Sequence, residues 1–307
     1  KRCNLGHVYH PPPTFSVSVF QRIVSFGQQL DLLQSIKLVV YSLLLINFAF
    51  YIADDIRVAS FTMRNGGTLL EWTAAFTTTI DESAWFLLLF LLELETYVLS
   101  DEVQERIWVM RIVHGIRMLC YLFLAHSIYA FGNTWLDLIQ VSVIPGVADL
   151  CQLVGPEISF VRNLEYTDLT LDNCQSLSSA AQFYFTEPGL VVSDPSGLAL
   201  ETNLALVDLL EVVIWLLILL SIEAMVRFQD RGITRGPIIH LVKTSKIVLY
   251  TALWSFAAWW VYLGHYYFAW DEALWIVGFI AIEMNMDEWK KEIEEADELS
   301  QTTAETD

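Results

Sequence analysis

Residues 86–100 read FLLLFLLELETYVLS, an apolar run of Leu and Phe that ends with Glu93 and Glu95. A helix needs about 20 mostly apolar residues to cross a hydrocarbon core of about 30 Å. Hydrophobic residues make up 55 % of the 307-residue chain, which is too apolar for an ordinary soluble protein. Because backbone groups find no water in lipid, spans built from such runs must be helices.

Six runs of this kind predict an all-α integral membrane protein with about six transmembrane helices. The predicted spans are 36–53, 83–100, 107–130, 205–227, 245–264 and 270–287. The predicted organisation has five parts: a cytoplasmic or interfacial segment 1–35, helices one to three in 36–130, an external acidic region 131–204, helices four to six in 205–287, and an acidic cytoplasmic tail 288–307. Acids interrupt or border the second and sixth spans.

Orientation follows from the basic residues. All 17 Lys and Arg except Arg57, Arg64 and Arg162 fall at or near one face of the predicted bundle. The positive-inside rule assigns that face to the cytoplasm, and both termini with it. No cleavable signal peptide is expected, since the chain opens with the polar segment KRCNLGHVYHPPP. We expect a bacterial inner membrane, with a eukaryotic plasma membrane as the alternative.

Two short segments show helical spacing without the length of a span. Residues 14–36 place apolar side chains on one face, which is typical of a helix lying along the inner membrane surface or packed on a partner subunit. Residues 66–80 follow a Gly-Gly turn and suit either an interfacial or a re-entrant helix.

The cysteines divide by predicted location. Cys151 and Cys174 both fall in the external region, whereas Cys3 is cytoplasmic and Cys120 lies within the membrane. An oxidising compartment favours a Cys151–Cys174 disulfide. The alternative is a pair of free, buried cysteines.

Charges inside the predicted spans are costly, so each one is a candidate for function or for pairing. Opposite charges at matched depth predict an intramembrane network in which one of Glu93 and Glu95 faces basic residues of the third span. The two acids point to nearly opposite sides of their helix, so the other one meets another helix, a second subunit or a water-filled space. The predicted network comprises Arg111, His114, Arg117, Glu223, Glu283, Lys243 and Lys246. Three-residue spacing of basic residues also occurs in voltage sensors, but a static network is the preferred interpretation.

Asp208 and Glu211 lie three residues apart near the outer end of the fourth span, with no basic residue nearby in sequence. Such acids can bind a cation or exchange protons, so Glu211, Asp208, Glu93 and Glu95 are the predicted ion-pathway residues. Snorkelling of Asp208 and Glu211 toward the interface is the alternative. The acidic region 131–204 is able to concentrate cations, or it simply keeps an external loop soluble.

No histidine pair has ligand spacing, and the sequence contains no phosphate loop, nucleophile elbow or HExxH pair. We therefore predict no catalytic residue, metal or cofactor, no nucleic-acid partner, and no enzymatic activity. Two function classes follow: a cation or proton channel or transporter, expected as a homo-oligomer in the lipid bilayer, or a non-transporting scaffold or sensor subunit of a larger complex.

Overall fold

The computed structural model describes residues 32–94, 106–231, 236–281 and 283. It is mostly helical (74 %), so the predicted helical class is confirmed. The helices are α1 (Leu32–Thr62), α2 (Leu69–Ala75), α3 (Thr77–Glu93), α4 (Ile107–Gln140), α5 (Cys174–Leu177), α6 (Pro195–Asp230), α7 (Pro237–Leu263) and α8 (266–281). The described residues between 44 and 276 form one compact unit, and the described residues 32–43, 277–281 and 283 belong to a second.

Four of these helices, α1, α4, α6 and α7, are long and apolar enough to cross a membrane, and they include four of the six predicted spans. Large apolar side chains on them are exposed, for example Leu45 (57 %), Leu122 (63 %) and Val248 (62 %), as expected for contact with lipid. The predicted second and sixth spans run beyond the described residues, so the count of six stays a prediction. The segments 1–31 and 288–307 also lie outside the described residues.

The segment predicted as a short interfacial or re-entrant helix, 66–80, contains a bend, which is compatible with a re-entrant loop or with a broken span. Thr68 caps α2 through a capping box with Glu71. Helix α2 ends at Ala75, and α3 begins at Thr77 at an angle of 72° to it. The pair α2–α3 passes the same length and composition test as one bent span, which gives a fifth candidate. Transporter binding sites often lie at breaks of this kind. The sequence pattern had not indicated a break.

Helices α4 and α6 contain 34 and 36 residues, and both are longer than the predicted spans. Their extra turns, residues 131–140 and 195–204, fall within the segment predicted as an external region. Between them lies a small four-stranded sheet that the sequence did not predict. Its strands are β1 (Ser159–Arg162), β2 (Glu165–Asp168), β3 (Tyr184–Glu187) and β4 (Val191–Ser193), in the order β2-β1-β4-β3.

The sheet is built from two antiparallel hairpins joined by the parallel pair β1–β4. The first hairpin turns through Asn163 and Leu164, both of which have left-handed backbone angles (φ 57° and 60°). Two residues of this conformation are what a two-residue hairpin turn requires. Strands of three or four residues carry too little alternation to be recognised in a sequence, which explains why the prediction lacked them.

A small apolar core holds the sheet segment together. Its buried side chains include Leu150, Phe160, Phe183 and Val192. Cys151 and Cys174 are joined by a disulfide at its edge, with their Cα atoms 4.9 Å apart, so the predicted bridge is confirmed. Cys120 on α4 is free and buried. Cys3 lies outside the described residues.

The two arginines of α1 and its following turn are paired with acids of the sheet. Arg64 lies 2.6 Å from Asp168 of β2, and Arg57 lies 3.7 Å from Glu165 of the same strand. These two pairs connect the sheet to the end of α1.

Arg162, the third arginine assigned to this side of the bundle, is also paired. Its guanidinium lies 3.5 Å from Asp194, and Oδ1 of Asp194 accepts from the backbone N–H of Gly197 at 2.7 Å. The side chain of Asp194 therefore caps α6 and connects its first turn to β1.

Candidate functional site

A cavity of about 660 Å³ lies in the unit of residues 44–276, between the long helices and the sheet. Its walls carry eleven acidic side chains: Asp54, Asp55, Glu71, Asp81, Glu82, Asp137, Glu187, Asp208, Glu211, Asp271 and Glu272. Among the described residues that line it there is no Lys, Arg or His. The described lining is therefore rich in acids and contains no basic side chain, and one of its acids, Asp54, pairs with Arg57 from outside the lining at 3.5 Å.

Two of the four predicted ion-pathway residues, Asp208 and Glu211, lie in this cavity on α6. Sequence reasoning missed the acid pairs Asp81–Glu82 on α3 and Asp271–Glu272 on α8. Each pair falls at the edge of a predicted span, where an acid is unremarkable. A signal was present, since Asp-Glu-x-x-Trp occurs at both 81–85 and 271–275.

Tryptophan side chains hold three of these carboxylates. The indole N–H groups donate to Asp81 from Trp85 (3.1 Å), to Glu211 from Trp260 (2.7 Å) and to Glu272 from Trp215 (3.2 Å). An indole is a neutral donor, so it orients a carboxylate without cancelling its charge. The three indole N–H groups therefore hold these carboxylates in position without an ion pair.

Glu272 lines the cavity, and its oxygen Oε1 is buried and accepts no hydrogen bond. The Glu272 residue is only 7 % exposed. Buried polar atoms are nearly always partnered, so an oxygen of this kind needs a partner that the described residues do not supply, such as a water molecule, an ion or a ligand. Glu272 is the clearest such position among the described lining residues.

Two other lining acids have complete local partners. Asp271 accepts from Asn47 (2.9 Å) and Tyr51 (3.2 Å) of α1. Asp55 accepts from both the backbone N–H (2.9 Å) and the hydroxyl (2.6 Å) of Thr79, at the start of α3. These bonds tie α1 to α3 and α8 around the cavity, which gives Asp55 and Asp271 a positioning role.

Aromatic side chains are the last lining residues on four helices at one end of the cavity. Its lining stops at Tyr51 on α1, Trp85 on α3, Trp215 on α6 and Trp275 on α8, and we call these four side chains the aromatic floor. The Trp85 ring lies 6.1 Å from that of Trp215 and 6.2 Å from that of Trp275. At the opposite end, the lining reaches the exposed residues Gly66 and Glu71, so the cavity opens on the sheet side.

Glu187 of β3 stands at this opening. Burial, together with the negative charges of Asp137 and Glu71, raises the pKa of Glu187 from 4.5 to about 7. The folded state therefore holds the Glu187 proton more tightly than the unfolded state does. This contribution to stability is complete below pH 4.5 and is lost as the pH rises to about 7.

We accordingly expect Glu187→Gln to be more stable than the parent protein at pH 8, by about 1–2 kcal/mol, and equal to it near pH 4. Thermal unfolding of both proteins in detergent from pH 4 to pH 8 measures the difference. A constant difference across this range would contradict a Glu187 that titrates near neutral pH.

The remaining predicted site residues lie elsewhere. Glu93 is not among the lining residues and lies eight positions beyond Trp85 on α3, while Glu95 is outside the described residues. Arg111, His114 and Lys243 are exposed, and Arg117, Lys246 and Glu283 are partly buried. Glu223 accepts from the Tyr121 hydroxyl and pairs with Arg227 at 3.2 Å. The predicted pairing of Glu93 or Glu95 with the third span stays a prediction.

Within the described ranges, no three His, Cys, Asp or Glu side chains are grouped so that they could hold a metal ion. The acids line a wide space and do not converge on one point.

No protein-family model, curated protein or solved structure matches this chain.

Proposed function

We propose that this protein carries cations into or across a membrane, as a channel or transporter, with the acidic cavity as its binding vestibule. The observation that supports this is a lining of eleven acids without a Lys, Arg or His among its described residues. A cleft lined by one sign of charge focuses its field and raises the local concentration of opposite ions. Anions are disfavoured in the same space.

We propose that the sheet side faces away from the cytoplasm, in a bacterial inner membrane. The positive-inside distribution supports this orientation. The Cys151–Cys174 disulfide supports it independently, because such bonds persist in oxidising compartments. A homo-oligomer remains part of the proposal, since exposed apolar side chains on the long helices can meet either lipid or a second copy.

The second candidate is a sensor or scaffold subunit that binds a cation without moving it. The aromatic floor favours this candidate, because the described lining ends at Tyr51, Trp85, Trp215 and Trp275. A transporter would have to move these rings to let a cation pass. Both candidates share the vestibule and differ only in whether it opens on the second side.

Flux through proteoliposomes separates them. We expect the reconstituted protein to pass at least one of Na⁺, K⁺, Ca²⁺, H⁺ or radiolabelled 1,4-diaminobutane under a voltage or concentration gradient. Glu201→Gln is the matched control, since Glu201 is buried on the same helix as Glu211, accepts from the backbone of Leu164 and does not line the cavity. The flux through the Glu201→Gln protein should equal that through the parent protein. Folded protein that passes none of these cations would rule out transport.

A further inference from the structure

We propose that the cation is a protonated aliphatic amine with more than one ammonium group, bound between the acidic walls and the aromatic floor. This inference rests on the proposed function, and it names the substrate class of the same cavity. Three observations carry it: the size of the space, the rings at its base, and the buried unpartnered oxygen of Glu272.

The size of the cavity suits an organic molecule better than a dedicated metal site. Ligand pockets for small organic molecules measure about 300–1,000 Å³, and this cavity, at about 660 Å³, lies in the middle of that range. A metal ion needs several oxygens at about 2–2.6 Å around one point. The described part of the chain contains no such group of three ligands.

The aromatic floor adds a surface that suits an organic cation. Rings attract an ammonium group through their negative faces, by about 0.5–2 kcal/mol each, and they also bury alkyl carbon. The N–H groups of Trp85 and Trp215 are engaged with Asp81 and Glu272, which fixes the orientation of both rings. A hydrated inorganic ion gains nothing from such apolar walls.

Glu272 supplies the hydrogen-bond acceptor. One of its oxygens accepts from Trp215, while the other is buried and unpartnered within the lining. A primary ammonium group carries three N–H donors and satisfies this oxygen once the side chains that cover it move aside. A quaternary ammonium has no donor and would leave the oxygen unsatisfied, so the class is narrowed to protonated amines.

The distribution of acids favours more than one ammonium group. Glu82 and Glu211, on α3 and α6, both lie within electrostatic range of Asp271 and Glu272 on α8. One positive charge cannot offset carboxylates on three separate helices. A chain with two or more ammonium groups can place one at Glu272 and another near Asp208 or the opening.

Comparing the affinities of different cations tests the proposed class of ligand. Calorimetry on the purified full chain should rank 1,4-diaminobutane above 1-butylamine by about tenfold or more, and both above tetramethylammonium and Ca²⁺. Trp215→Phe keeps the ring but removes the donor to Glu272, and it should weaken diamine binding by about threefold or more. Thermal unfolding of this variant checks that it is folded.

The outcomes are distinct for the two proposals. Flux of Na⁺, K⁺, Ca²⁺ or H⁺ that the diamine neither competes with nor replaces would overturn the amine inference and leave the cation function standing. Tighter binding of tetramethylammonium than of the diamine would also overturn it. Absence of binding and flux for every cation would remove the proposed function as well.

Discussion

Replacing Glu272 with glutamine should weaken cation binding by about tenfold or more and, in the same protein, raise thermal stability. Glu272 is 7 % exposed, and its carboxylate accepts a hydrogen bond from the neutral indole of Trp215 while Oε1 has no hydrogen bond. A buried charge without an opposite charge is costly in the empty protein. Glutamine removes the charge, keeps an acceptor for Trp215, and adds donors beside neighbouring carboxylates.

The two effects should appear together. We expect a gain of about 1–3 kcal/mol in the free energy of unfolding of the empty protein, measured by thermal unfolding in detergent, and a loss of affinity measured by calorimetry. Glu201→Gln serves as the control, with unchanged affinity. A Glu272→Gln protein that unfolds earlier and still binds cations like the parent would show that Glu272 is only a structural side chain.

Removing the disulfide should have the second largest effect. The double change Cys151→Ser and Cys174→Ser opens a loop with a sequence separation of 23 residues beside the small core of the sheet segment. Loss of such a bridge costs about 2–4 kcal/mol, mainly because the unfolded loop regains freedom. Few other apolar contacts are available to compensate in a core of this size.

Hydrogen exchange measures this effect locally. Amides of β1 and β4 should lose roughly 10²-fold of their protection, while amides of α7 should keep theirs. The Cys120→Ser protein is the control, because Cys120 is free and lies on α4. Equal protection of the strands with and without the bridge would contradict a stabilising role for it.

The long helices could be predicted because a helix that crosses lipid needs a continuous run of apolar residues, and such a run is visible in the sequence. The disulfide was predictable for a related reason, since only Cys151 and Cys174 fall in one compartment. Asp208 and Glu211 were recognised because a helix brings residues three apart to one face. Each of these inferences uses neighbours in sequence.

The rest depends on partners that are far apart in the chain. Glu211 accepts a hydrogen bond from Trp260 and Glu272 accepts one from Trp215, at sequence separations of 49 and 57 residues. No local sequence pattern predicts pairs that are so far apart. The strands were too short to show alternation. Asp81–Glu82 and Asp271–Glu272 lie at the ends of predicted spans, where acids are common, so their position alone does not indicate a site. Their shared Asp-Glu-x-x-Trp pattern does relate two helices, whose Trp85 and Trp275 rings lie 6.2 Å apart.

The charge of the cavity can be measured directly at Val212, a lining residue of α6 that is 5 % exposed. In a Val212→Cys protein lacking Cys3 and Cys120, a cationic methanethiosulfonate should modify the introduced thiol faster than an anionic one. Relative to a free thiol in solution, the ratio of the two rates should rise about 10–10³-fold, and about 1 M salt should reduce it. A ratio equal to that of the free thiol, in a protein whose introduced thiol reacts with both reagents, would contradict a cation-selective vestibule.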